Sequence, residues 1–175
     1  MRSQGPILAL LGFTWMATSV AATPEYQVKA AWVYNFAKFI EWPDAESLGS
    51  MTICVYGKDP FGGFLDEAVR GKLVRGRPIL IRRLPAEDES WAGCQILFFG
   101  LNKVARVEST LGRLQGSSIL TIGESDGFAA VGGMIGLVVD QGRVRFDINL
   151  AALAGAKLKA SSQLMEIGRV VGSRK

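Results

Sequence analysis

The segment at residues 28–43 constrains the fold most, because it has helical spacing and is apolar on two sides. At about 3.6 residues per turn, one row of side chains holds Tyr26, Ala30, Val33, Ala37 and Ile40, and a second row holds Val28, Trp32, Phe36 and Phe39. Pro43 disfavours helical geometry at the residue before it, so we predict a helix over residues 28–42. A surface helix needs only one apolar face. We therefore expect cover on both sides, with the second side covered either by the same domain or by a partner.

The aromatic side chains of this helix are the first candidate binding residues. Aromatic residues are favoured anchors at protein interfaces. The segment offers Trp32, Tyr34, Phe36 and Phe39 as a possible partner interface. The alternative is that the helix lies wholly inside its own fold, between a sheet and the C-terminal helix. The pattern alone does not separate these two interpretations.

The first 22 residues have the composition of a secretory signal peptide. Arg2 supplies the positive start, residues 6–16 form a short apolar run, and residues 19–22 are small enough for cleavage. The alternative is an uncleaved N-terminal anchor. We expect cleavage, which leaves residues 23–175 as a single exported domain of ordinary size.

The residue counts exclude several classes of chemistry. The sequence has no histidine, which excludes histidine general bases, Ser-His-Asp and Cys-His nucleophile systems, and most zinc sites. We therefore expect a protein that is not an enzyme and that has no cofactor. The formal charge of +4 is mildly basic and does not by itself imply nucleic-acid binding.

Cys54 and Cys94 are the only cysteines of the sequence. An even pair in an exported protein favours a disulfide. The chain-entropy model gives a bridge over a loop of this length roughly 4 kcal/mol of stabilisation. The alternative is two buried free thiols on neighbouring strands.

The remaining pattern predicts alternating strands and helices. Nearly continuous apolar runs are typical of strands buried on both faces of a parallel sheet. We predict strands at residues 51–56, 78–84, 94–99, 118–122, 134–139 and 143–148, and helices at residues 61–70, 103–114, 150–154 and 161–171. The last two strands are joined so tightly that they form an antiparallel hairpin. The fold class is therefore α/β, an open and mostly parallel sheet with flanking helices and a C-terminal antiparallel hairpin, in a single domain.

The loop at residues 123–133 is the candidate ligand site. It is rich in glycine, and backbone amides in such turns can hold anions. Its candidate residues are Gly123, Ser125, Gly127, Phe128, Gly132 and Gly133. It lacks the G-x-G-x-x-G and P-loop patterns, and Glu124 and Asp126 would repel an anion. The alternative is a structural loop whose glycines supply positive φ angles.

A basic segment covers residues 70–83 and contains no acidic residue. Its cations are Arg70, Lys72, Arg75, Arg77, Arg82 and Arg83. They would suit anionic membrane headgroups or an acidic partner. The alternative is a solvated edge strand and loop, since charges of this kind protect sheet edges.

The sequence as a whole resembles the YfiR family of exported bacterial proteins. The matching segments are VKAAWVYNFAKFIEWP at 28–43, ICVYGKDPFG at 53–62, GKLVRGRPI at 71–79, CQILFF at 94–99, the stretch at 121–135, and RVRFDIN at 143–149. The resemblance implies a dimeric periplasmic α/β protein. It would repress a membrane-bound diguanylate cyclase by binding its periplasmic sensor region, and so restrain cyclic-di-GMP synthesis and biofilm formation. An outer-membrane lipoprotein that sequesters the repressor is a further implied partner.

The cysteines fit this resemblance only in part. Cys54 and Cys94 fall where the family places a structural disulfide. The family's studied repressor has a second pair later in the chain, and no cysteine follows Cys94 here, so redox sensing by that pair is not expected. The competing function is that of a periplasmic small-molecule-binding protein that uses the loop at residues 123–133.

Overall fold

An eight-stranded sheet organises the chain, and helices cover its faces. The computed structural model describes residues 24–43, 49–88, 90–100 and 103–172, and the predicted signal peptide lies outside them. The helices in this part of the chain are α1 (Pro24–Phe39), α2 (Phe64–Val69), α3 (Val104–Arg113), α4 (Leu150–Gly155) and α5 (Ser162–Ile167). The strands are β1 (Ile40–Glu41), β2 (Met51–Gly57), β3 (Leu73–Val74), β4 (Arg77–Leu84), β5 (Ile96–Gly100), β6 (Leu120–Gly123), β7 (Ile135–Asp140), β8 (Arg143–Asn149), β9 (Lys159–Ala160) and β10 (Arg169–Val171).

The sheet is parallel at its centre, has an antiparallel pair on each side of that centre, and ends in strand β10, which pairs parallel with β8. The strand order is β10-β8-β7-β6-β5-β2-β4-β3, and the run from β7 to β4 is parallel throughout. Strands β7 and β8 form the predicted antiparallel hairpin, and β3 pairs antiparallel with β4. Counted along the chain, the parallel strands follow the order 2-1-3-4-5, which is one of the two common doubly wound orders. The predicted fold class is confirmed.

Alternating side chains of the central strands divide the core into two layers. On β2, Ile53 and Val55 belong to the layer under α1 and α2, whereas Cys54 and Tyr56 belong to the layer under α3. All four are essentially inaccessible to solvent. This double burial explains why the strand reads as a nearly continuous apolar run, since successive residues of a strand face opposite sides of the sheet.

The connection between β4 and β5 departs from the usual design of parallel sheets. Crossovers between parallel strands are usually helical, but residues 85–88 and 90–95 form no helix. This segment is instead held to the sheet by a disulfide between Cys54 and Cys94, whose Cα atoms lie 5.8 Å apart. The Tyr56 hydroxyl also donates to the Ala86 carbonyl at 2.8 Å.

Several predicted element boundaries were wrong. Helix α1 ends at Phe39, because Ile40 and Glu41 pair with β9 as strand β1. The helix predicted from residue 61 begins only at Phe64, since the Asp59 carboxylate accepts the Phe61 amide at 2.7 Å and forms a turn there.

The predicted final helix at residues 161–171 is divided into α5 and β10. Gly168 causes the division, because its backbone is extended and lies directly against the core. A Cβ atom at this position would meet Ile148 Cδ1 and Phe146 Cε2 at 2.5 Å. The chain therefore leaves the helix at Gly168 and continues parallel to β8.

Candidate functional site

The predicted interface residues of α1 occupy different environments. Phe36 is fully buried in the core, so it cannot contact a partner while the fold is intact. Trp32, Tyr34 and Phe39 are half-buried, and Val28 is 44% exposed. The second apolar row of the helix is therefore only partly covered by its own domain.

Trp32 lies at the boundary between the core and the surface. Its ring stacks on Phe36, with centroids 5.8 Å apart and an interplanar angle of 21°. Its centroid is also 4.8 Å from that of Phe146 on β8. Aromatic pairs of this kind contribute about 0.5–1.5 kcal/mol beyond area burial. The packing fixes the orientation of the Trp32 ring and leaves the rest of its surface to solvent.

The edge of the sheet next to Trp32 is incompletely paired. Strand β10 pairs only with residues 147–149 of β8. Within the described residues, the first half of β8 therefore has no strand neighbour on this side. Unpaired backbone groups at such an edge can accept an added strand.

Exposed aliphatic side chains surround this open edge. Ile167 is 60% exposed, Val170 53% and Val139 50%. A groove of about 350 Å³ lies between the β7–β8 hairpin and the α5–β10 segment, and Val139, Phe146 and Ile167 contribute to its lining. Phe146 therefore connects the groove to Trp32. We refer to Trp32, Val139, Phe146, Ile167 and Val170 as the β10-edge surface.

Acidic and basic side chains border the same edge as ion pairs. The Arg169 guanidinium donates to both carboxylate oxygens of Asp147, at 2.7 and 2.8 Å. Hydrogen bonding to Asp147 raises the pKa of Arg169 above its ordinary value. Arg145 lies 3.4 Å from Asp140 across the hairpin. Since side chains alternate along a strand, Arg145, Asp147 and Arg169 face the side of the sheet opposite to Phe146 and Val170.

The space at the carboxyl ends of the parallel strands is filled by the protein's own backbone and side chains. In doubly wound sheets, ligands bind at this end, where the strand order reverses between β2 and β5. Here the backbone after β2 lies directly on Gly100, where a Cβ atom would fall 1.9 Å from the Lys58 carbonyl oxygen. Phe61 packs against Phe98 beneath it, with centroids 4.6 Å apart.

A buried ion cluster fills the neighbouring position at the end of β6. The Lys29 ammonium is 2.6 Å from Glu124 and 2.6 Å from Glu25. Burial opposes the charged form of Lys29, but hydrogen bonds to Glu124 and Glu25 outweigh it, so the pKa of Lys29 is raised. Burial and the nearby Glu124 charge raise the pKa of the Tyr26 hydroxyl. The cluster joins α1 to the sheet, with one buried ammonium shared between two partly exposed carboxylates.

The glycine-rich loop at residues 123–133 is packed around Phe128. This ring is 1% exposed and lies between Gly123 and Gly133, where added Cβ atoms would come within 2.4 and 2.1 Å of it. Gly127 and Gly132 supply positive φ angles of 70° and 107°. Ser125 is half-buried, and its carbonyl accepts the Phe128 amide at 3.0 Å. The glycines of this loop therefore serve close packing and turn geometry.

A cavity of about 470 Å³ adjoins the end of this loop. Its walls come from the end of α3, the start of β6 and helix α4, and include Leu111, Thr121, Gly132, Met134 and Ala151. The Thr121 hydroxyl accepts the Met134 amide at 3.1 Å. The cavity lies at the amino ends of β6 and β7, opposite to the end that doubly wound proteins use for ligands.

The sequence of this chain matches the model of a known protein family. A family model described as YfiR/HmsC-like matches residues 26–169. The chain belongs to the YfiR/HmsC-like family. Membership of the YfiR/HmsC-like family indicates a periplasmic regulator of diguanylate cyclase activity. The match includes α1, the disulfide and both strands of the β7–β8 hairpin.

The chain also resembles a solved structure in its fold. A solved structure titled as the ABC domain in complex with L-Trp from Streptococcus pneumonia aligns with a TM-score of 0.56 and 12% identity. The alignment covers 81% of this YfiR/HmsC-like chain, which spans 60% of the length of that structure. At this identity the likeness concerns the arrangement of strands and helices alone. No curated protein matches the chain significantly.

The YfiR/HmsC-like chain has the disulfide that the family resemblance implied. Cys54 and Cys94 are bonded and are 0% and 4% exposed. Across the described parts of the chain, no helix is long and apolar enough to cross a membrane. Sequence reasoning missed the β10-edge surface. The available signal was the pair of β-branched residues at 170 and 171, which begins two residues after Gly168.

Proposed function

We propose that this protein is a periplasmic repressor that binds the periplasmic sensor region of a membrane-bound diguanylate cyclase. Binding would lower cyclic-di-GMP synthesis and biofilm formation. The observation that carries the proposal is the family match over residues 26–169. A homodimeric state and sequestration by an outer-membrane lipoprotein belong to the same proposal. Export by a cleaved signal peptide at residues 1–22 would deliver the protein to this compartment.

Repression of this kind requires a difference in affinity between two states. Cyclic-di-GMP synthesis takes place across the membrane, so a periplasmic protein acts only on the conformational equilibrium of the sensor region. It must bind the inactive conformation more tightly than the active one. A tenfold preference shifts that equilibrium by about 1.4 kcal/mol.

We place the contact with the sensor region at the β10-edge surface. Trp32 supplies a half-buried aromatic ring that the buried Phe146 holds in place, and Ile167 and Val170 are more than half exposed. The open half of β8 supplies backbone groups that an incoming strand can pair with. Phe39, one further predicted interface residue, lies on the same side of α1 as Trp32. Tyr34 faces the β3–β4 hairpin instead, where Lys72 Nζ lies 4.5 Å from its ring centroid.

The cellular test is deletion of the gene in a strain that expresses the cyclase. We expect the cyclic-di-GMP level to rise, and expression of the protein in trans to restore the lower level. An unchanged level in the deletion strain would contradict the proposed repression.

The surface assignment has its own test with purified proteins. Ile167→Glu and Val170→Glu place charges on the β10-edge surface, and each should weaken binding to the isolated sensor region at least about tenfold. Val104→Glu is the matched control, because Val104 is 49% exposed on α3, away from this edge. Equal loss in the control, or normal binding by both edge variants, would show that the contact lies elsewhere.

A second candidate function is binding of a small molecule near the loop at residues 123–133. The observation that favours it is the cavity of about 470 Å³ at the end of that loop. Native mass spectrometry of protein purified from the periplasm would detect a retained compound. Ala151→Phe fills the cavity from an exposed helix position, so it should abolish retention. A compound retained equally by this variant would exclude the cavity as its site.

A further inference from the structure

The hairpin formed by β3 and β4 lies at the outer edge of the sheet. Its turn is tight, with φ angles of 50° at Arg75 and 77° at Gly76. Val74 is 2% exposed and anchors the hairpin in the core. The cations at residues 75–83 therefore project from a fixed strand pair and its tight turn, and Arg70 and Lys72 directly precede β3.

Most cations of this hairpin have no acidic partner. Lys72, Arg75 and Arg77 form no ion pair with any described residue, although Lys72 lies over the Tyr34 ring, whereas Arg70 is close enough to Asp66 to contribute to the lowered pKa of that carboxyl. Arg83 differs from them, because hydrogen bonds with Asp66 and Asp59 hold it and raise its pKa. The hairpin therefore carries positive charge that the protein itself does not neutralise.

Aliphatic side chains are exposed on the face of the hairpin opposite to Val74 and Arg77. Leu73 is 56% and Leu80 51% exposed. Pro78 pairs with Leu73 across the hairpin and is also exposed. All three occupy the same face of the sheet, since side chains alternate along a strand. This face is uncovered because the crossover at residues 85–95, where a helix would ordinarily cover it, is not helical in its described residues.

We propose that the β3–β4 hairpin docks the protein onto an anionic phospholipid surface. An outermost hairpin can meet a planar surface without obstruction from the rest of the sheet. Its cations match the headgroup charge, and Leu73 and Leu80 enter the boundary between headgroups and acyl chains. A second copy of this chain does not fit the same surface, because like charges would meet. Docking would confine a regulator of a membrane protein to the plane of its target.

The test is sedimentation of the purified protein with lipid vesicles. We expect binding to vesicles of equimolar phosphatidylcholine and phosphatidylglycerol, and little binding to phosphatidylcholine alone. Each surface cation contributes about fivefold to such partitioning. The triple variant Lys72→Gln, Arg75→Asn and Arg77→Gln should therefore lose about a hundredfold. Asparagine is chosen at residue 75 because it tolerates the positive φ angle. Leu73→Gln with Leu80→Gln tests the apolar contribution and should lose roughly tenfold.

A matched control removes the same charge elsewhere. Lys103→Gln, Arg143→Gln and Lys159→Gln replace exposed cations outside the hairpin. This control should bind the mixed vesicles like the wild type, and all variants should keep the wild-type thermal unfolding midpoint.

Three results would overturn the proposal: no binding to mixed vesicles, equal binding to phosphatidylcholine alone, or equal loss in the control. Binding of the wild type and of the same variants to poly-glutamate is measured as well. Binding of poly-glutamate through Lys72, Arg75 and Arg77 without vesicle binding would assign the hairpin to an acidic protein instead. The vesicles contain no cyclase, so failure here leaves the proposed repression standing.

Discussion

Reduction of the disulfide should destabilise the whole protein. Cys54 and Cys94 are separated by 40 residues and are both buried. Closing a loop of this length removes unfolded-state entropy worth about 4 kcal/mol at 25 °C. The measurement is urea unfolding of oxidised and dithiothreitol-reduced wild type. The reduced protein keeps both sulfur atoms, so the difference in free energy of unfolding isolates the bridge. The double variant Cys54→Ala and Cys94→Ala should lose at least as much.

The reasoning predicts a global effect, because the bridge acts on the unfolded ensemble. Hydrogen exchange should therefore accelerate for the slowest core amides of β2 and β5 as well as for residues 85–95. A loss below about 1 kcal/mol, with faster exchange confined to residues 85–95, would refute the entropic account. The bridge would then act only as a local clamp for the crossover that lacks a helix.

Three further predictions concern packing and charge. Gly100→Ala should cost about 3 kcal/mol or more in urea unfolding, because its Cβ would overlap a backbone carbonyl, whereas Gly112→Ala has open space and should gain up to about 1 kcal/mol. Asn149→Ala removes the α4 cap and the anchor of the loop at residues 123–133, and should cost about 2–3 kcal/mol by the same assay. The pKa of Lys29 is raised because hydrogen bonds to its two glutamate partners outweigh burial, so its ion pairs stabilise the fold below the ordinary lysine value of 10.5. That stability should be lost as pH rises through the folded pKa, and Lys29→Met should remove this alkaline decline.

The sequence was most informative where residues are buried on both sides of the sheet. Strands β2, β5 and β6 read as nearly continuous apolar runs, and the structure places them at the centre of the parallel sheet. At the start of α4 the Asn149 carboxamide accepts the Ala152 amide at 3.0 Å, and asparagine is a residue type that favours this capping position. At these positions the residue type favours the same local structure that the fold requires, so the sequence pattern predicts the structure correctly.

Reasoning from the sequence failed where a distant contact decides the local conformation. Residues 161–171 have helical spacing, but Gly168 must pass closely over Phe146 and Ile148, and this contact ends the helix. The same limit applies to the aromatic row of α1. Trp32 and Phe36 lie on one side of the helix, and only the position of β8 makes one accessible and the other buried. The periodicity predicts a shared face, whereas exposure depends on the neighbouring strands.

The small β1–β9 pairing has a consequence for the order in which the chain can fold. Ile40 pairs with Ala160, and the Phe39 carbonyl accepts the Ser161 amide at 2.9 Å. Helix α1 thus completes its contacts only when residues near 160 have emerged from the translocation or synthesis machinery. Residues 51–100 contain both cysteines and the parallel strands β2, β4 and β5, of which β2 pairs with the other two, so oxidation can precede the docking of α1. We expect a disulfide-bonded intermediate whose aromatic first helix is still exposed to chaperones until the last strands arrive.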